Sequence, residues 1–133
     1  MLLATEHLDG KERAILCANA SLKKKAKDLV ILNVKTLSSF TDYFIICSGT
    51  SDRQVQAIAS SIQEDLKALG ILPLGVEGER LGKWVLMDYD DVIIHIFYEP
   101  VRDFYEIERL WFDAPRMEIE DDVTELNALD QGM

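Results

Sequence analysis

Apolar positions along the chain alternate between helical and strand spacing, and the changes of period mark out the elements. Ile15, Leu16, Asn19, Leu22 and Ala26 recur at i, i+3, i+4 intervals and predict a helix over residues 9–27, with Lys23-Lys24-Lys25 near its electronegative end. Residues 28–34 form a short apolar run that reads as a strand, and Tyr43-Phe44-Ile45-Ile46-Cys47 is a second, punctuated by Gly49. Thr50 or Ser51 can cap the next helix, residues 52–69, whose Val55, Ile58, Ala59, Ile62 and Leu66 make one apolar face. Gly70 stops it and Pro73 follows. Then come an extended piece at 73–77, a strand at 84–87, a turn at 88–91 and a strand at 92–98. Pro100 opens a last helix predicted to run to about Phe112, with Pro115 beyond it.

Val92-Ile93-Ile94-His95-Ile96-Phe97 is apolar at every position but one, which predicts a central strand covered on both faces. Helices between early strands and a late hairpin predict an α/β fold, with helices packed on a mixed sheet of about five strands.

The 133 residues suffice for one domain. Charge is unevenly spread: 24 Asp and Glu face 14 Lys and Arg, a net of −10, and residues 117–133 carry six acids and no base. The division expected is a domain over 1–116 and an acidic, disordered tail over 117–133. An acidic surface repels phosphate, so direct electrostatic binding to nucleic acid or anionic lipid is disfavoured, and a basic protein or a small ligand fits better. No apolar run reaches the ~18 residues of a membrane span, and the first residues lack a signal-peptide pattern. Cys17 and Cys47 have neither metal-ligand spacing nor a disulfide framework and read as small buried hydrophobes. These features point to a cytoplasmic protein without cofactor or metal.

Three places bear candidate chemistry. Gly49-Thr50-Ser51 lies at a strand-to-helix junction, where N–H groups favour an anion, a pattern loosely shared with nucleotidyltransferases; it has neither the P-loop spacing nor its lysine, and a capped helix start explains it better. Asp88-Tyr89-Asp90-Asp91 is the tight carboxylate cluster, but it sits between two strands where Asp forms turns. His95 has no visible triad and reads as a hydrogen-bonded core residue. Contact explains another set better: the glycine-flanked acidic segment Gly75-Val76-Glu77-Gly78-Glu79, Trp84 at a strand start, and Tyr105-Glu106-Ile107-Glu108-Arg109-Leu110-Trp111, because Trp, Tyr and Arg dominate interface hot spots. Spacing alone makes Phe104, Ile107, Leu110 and Trp111 a core stripe, and leaves Trp84 open between anchor and core.

Six stretches, in order, carry a resemblance to a known family. They are residues 28–34, Thr41 to Ser51, Gln56-Ala57-Ile58-Ala59, Leu74 to Gly78, Trp84 with Asp88 and Asp91 to His95, and Tyr105 to Trp111. Together they resemble the ribosomal silencing factor (RsfS, or Iojap-like) family over about residues 10–113. The resemblance implies a nucleotidyltransferase-related fold without its active site, and no enzymatic activity. It implies docking on the large ribosomal subunit through ribosomal protein fourteen, which blocks joining of the small subunit and represses translation. By motif, the docking surface would include Gly75, Glu77, Gly78, Trp84, Asp88, Tyr105, Glu108 and Trp111. Two other readings stay open: a nucleotidyltransferase-like enzyme using Gly49-Thr50-Ser51 with Asp88 and Asp90, and a homodimer, either of the free factor or as a scaffold unrelated to ribosomes.

Overall fold

A computed structural model describes residues 8–118. The elements are α1 (Gly10–Lys23), β1 (Lys27–Asn33), β2 (Tyr43–Gly49), α2 (Asp52–Lys67), β3 (Gly75–Glu77), β4 (Trp84–Asp88), β5 (Val92–Tyr98), α3 (Glu99–Tyr105), a 3-10 turn (Ile107–Trp111) and β6 (Arg116–Glu118). The strands form one six-stranded sheet in the order β3-β4-β5-β2-β1-β6. Only β2 and β5 run parallel; every other pair is antiparallel. The mixed sheet and its helices are as predicted, with the three-residue β6 added by pairing with β1.

Local chemistry sets the boundaries. Asp9 caps α1 in a reciprocal box: its carboxylate accepts from Glu12 N–H and Glu12 Oε1 accepts from Asp9 N–H. The helix ends at Lys23, not at residue 27, because Lys25 takes a left-handed conformation and Lys27 already pairs with Ser48 in the sheet. A bulge at Asp28, with φ 49°, restores the register by Val30. Ser51 caps α2 through a bond from Gln54 N–H to its hydroxyl.

α1 and α2 cover one face of the sheet, burying Ile31, Ile45, Cys47, Met87, Ile94 and Ile96 completely. The two helices are pinned by the Ser61 hydroxyl, which donates to Ala20 O at 2.8 Å. Both cysteines are free and fully buried; burial raises both thiol pKa values, that of Cys47 to about 12. The 88–91 turn forms, with Asp90 N–H donating to Asp88 Oδ1, yet Tyr89 within it is only 1% exposed and belongs to this core.

The last helix departs from its prediction. α3 stops at Tyr105, Glu106 adopts φ 47°, ψ 47°, and a 3-10 turn follows. The break lets Glu108 fold back onto Arg102, whose Nε and Nη2 both donate to Glu108 Oε2 at 3.1 and 2.9 Å. Arg102 Nη1 also donates to Asp28 O and Ser48 Oγ, so the guanidinium is buried with partners. The expected core stripe is thereby divided: Ile107 and Trp111 pack on the sheet, while Phe104 and Leu110 are 78% and 76% exposed. The proposed division at 116/117 falls inside β6, and the tail beyond residue 118 lies outside the described residues.

Candidate functional site

The nucleotidyltransferase reading needs Gly49-Thr50-Ser51 and the aspartates in one place. Gly49 pairs with Tyr98 at the end of β5, whereas Asp88 pairs with Ile93 at its start. Those positions are about 17 Å apart along the strand at ~3.3 Å per residue. The helix entrance is also filled from within, since Thr50 N–H and hydroxyl both donate to Gln54 Oε1. Gln54 Nε2 in turn donates to Lys24 O and Lys25 O. Asp88 spends Oδ1 on its own turn. The two halves of that catalytic proposal therefore belong to separate structural tasks.

The other sheet face is built differently. Cross-strand pairing lines up Glu77, Leu86, His95 and Ile46 in one row, and Gly75, Asp88, Ile93 and Phe44 in the next. Directly opposed residues share a face. α3 and the 3-10 turn cover only part of it, packing Ile107 and Trp111 over Val30, Leu32, Phe44 and Ile46. Trp111 meets Phe44 edge to face, with centroids 4.9 Å apart. Toward β3 and β4 the cover ends, and Glu77, Gly78, Trp84, Leu86 and His95 line an open hollow.

Trp84 is both packed and presented. Its ring lies 4.8 Å from Phe97 and 5.1 Å from Tyr105, and its Nε1–H donates to His95 Nδ1 at 3.1 Å. It remains half-buried, so it is neither a pure core residue nor a free anchor. Gly78, with φ 86°, lies so close that a Cβ there would overlap the Trp84 carbonyl oxygen. Gln56 Nε2 donates to Glu79 O and Arg80 O, holding the intervening loop against α2.

Of the eight predicted contact residues, Glu77, Gly78 and Trp84 meet at the hollow, and Tyr105, 53% exposed, flanks it through Trp84. Gly75 and Asp88 lie one row away on the same face. Glu108 is held by Arg102, and Trp111 lies across Phe44 on the covered part. Leu86 and His95 complete the hollow and were not in the predicted set. The i, i+2 alternation from Trp84 to Asp88, continued across the 88–91 turn, is the signal that would have placed them beside Trp84.

His95 is neutral near pH 7, because burial lowers its pKa to about 4. No group of three or more His, Cys, Asp or Glu side chains among the described residues is arranged to hold a metal. No helix among them is long and apolar enough to cross a membrane.

The family model "Ribosomal silencing factor during starvation" matches residues 7–132. Ribosomal silencing factor RsfS of Halalkalibacterium halodurans is 41% identical over 113 residues, covering 85% of this chain and 97% of the relative. More distantly, the mouse protein "Mitochondrial assembly of ribosomal large subunit protein 1" is 28% identical over 109 residues, covering 80% of this chain and 48% of its own length. A crystal structure of a Chromobacterium violaceum protein superposes with a TM-score of 0.76 at 39% identity, covering 78% of this chain and 87% of that one.

Proposed function

Because the chain belongs to the ribosomal silencing factor family, we propose that it docks on the large ribosomal subunit through ribosomal protein fourteen and keeps the small subunit from joining. It acts in the cytoplasm, by occupancy and without catalysis: a factor covering a surface that the small subunit must touch competes with it by mass action. The observation that carries this reading is the half-open sheet face, where Trp84, Leu86 and His95 offer apolar surface beside Glu77. Half-exposed apolar residues with a charged rim are the anatomy of a protein contact. Acidity suits a basic protein partner and disfavours rRNA phosphate.

The test adds increasing amounts of the protein to isolated large subunits, then small subunits, and reads joined ribosomes on a sucrose gradient. Joining is expected to fall with dose while the protein sediments with free large subunits. Undiminished joining at saturating protein contradicts the proposal.

A further inference from the structure

His95 is the one polar side chain on the central strand's half-open face, and its proton is fixed by its neighbour. Trp84 Nε1–H can only donate, so His95 Nδ1, which accepts it, keeps its lone pair and the ring proton sits on Nε2. Phe44 and Phe97 hold the imidazole, with centroids 5.6 and 6.1 Å away. Nε2 has no hydrogen-bond partner among the described residues, and the ring lines the hollow with Leu86, Glu77 and Gly78.

On the premise that this face docks on the large subunit, we infer that His95 Nε2–H is a hydrogen-bond donor for a neutral carbonyl of the docked protein, making the hollow selective for protein over nucleic acid. Glu77, two positions from His95 along the same row, disfavours a phosphate or carboxylate acceptor. The ring itself stays neutral, since its free lone pair is already committed to Trp84, so it offers no cation to a phosphate. Once a partner covers the hollow, the N–H loses water. A partner without an acceptor there leaves a desolvated donor unpaired and binds more weakly.

The experiment measures binding to isolated large subunits for the wild type, His95→Asn and His95→Gln, with thermal melting of each. Asn places an amide oxygen near Nδ1 and preserves the Trp84 bond, but removes the Nε2 donor; Gln does the reverse. The expected result is a His95→Asn protein that keeps the Trp84 indole N–H resonance of the wild type yet binds about tenfold or more weakly. His95→Gln is expected to bind better than His95→Asn despite melting lower. Wild-type affinity in His95→Asn, or losses in both variants that merely follow a displaced indole resonance, overturn the inference while leaving the docking proposal intact. A wild type that fails to bind removes both. Two further readouts need no stable His95 variant. Ring 15N shifts of the free wild type are expected to show the Nε2–H tautomer, and a photoreactive phenylalanine at position 86 is expected to crosslink to protein. The Nδ1–H tautomer, or a crosslink to rRNA, overturns the inference.

Discussion

The two faces of this sheet are cut from the same strands and finished differently. Toward α1 and α2, Met87, Ile94 and Ile96 are completely buried. One residue along, Leu86, Ile93 and His95 are only half-buried, because α3 breaks at Glu106 and, with the 3-10 turn, covers only part of that face. The first face shows what this chain needs in order to fold. The second shows apolar surface beyond that need, and Trp84 stands on it at the edge of the cover, against Tyr105 of α3.

The largest expected difference is in stability. Ile94→Ala should cost about 3–4 kcal/mol, since deleted methylenes leave a cavity between sheet and helices. Leu86→Ala, already in partial contact with water, should cost about 1 kcal/mol. Urea denaturation of both variants checks the pair, and equal losses would erase the distinction between the faces.

Trp84→Ala comes next. It gives up ring contacts with Phe97 and Tyr105 and the bond to His95, for about 2 kcal/mol of stability. Affinity for large subunits should fall about thirtyfold, measured well below the variant's melting temperature. Glu108→Gln should cost about 1.5–2 kcal/mol by weakening the charged partner of Arg102. It should loosen the 3-10 cover, seen as faster amide exchange at Ile107–Trp111, without touching the hollow.

A pH-dependent effect, absent near neutral pH, follows from His95. Its pKa is lowered from 6.5 to about 4 by burial, so below pH 6.5 the unfolded chain binds the proton that the folded chain refuses. Its contribution is complete above pH 6.5 and is lost as pH falls toward 4. The melting temperature should therefore decline across that window more steeply in the wild type than in His95→Gln.

Most of the fold was legible because it rests on local pattern. The cap at Ser51, the left-handed Gly70 shortly after α2 and the turn at 88–91 each act within a few residues. The C-terminal segment was not, because its break serves a long-range demand: Arg102 must reach Asp28 O and Ser48 while receiving Glu108. A helical stripe of Phe104, Ile107, Leu110 and Trp111 carries no trace of that. The candidate surface was half legible for a related reason. Glu77, Gly78 and Trp84 draw notice by composition, whereas Leu86 and His95 look like ordinary strand residues until the β4–β5 register sets them side by side.

The central claim is that docking uses the half-open face and not the helix-covered side. Two exposed carboxylates without side-chain partners among the described residues test it directly: Glu77 at the hollow and Glu64 on α2. Both Glu→Lys variants make the same change in net charge. In a binding titration with isolated large subunits at physiological salt, Glu77→Lys should weaken binding about tenfold or more. Glu64→Lys should stay within about threefold, since surface charge away from a contact is screened over ~8 Å. Equal losses in the two variants, or a larger loss in Glu64→Lys, would contradict the account.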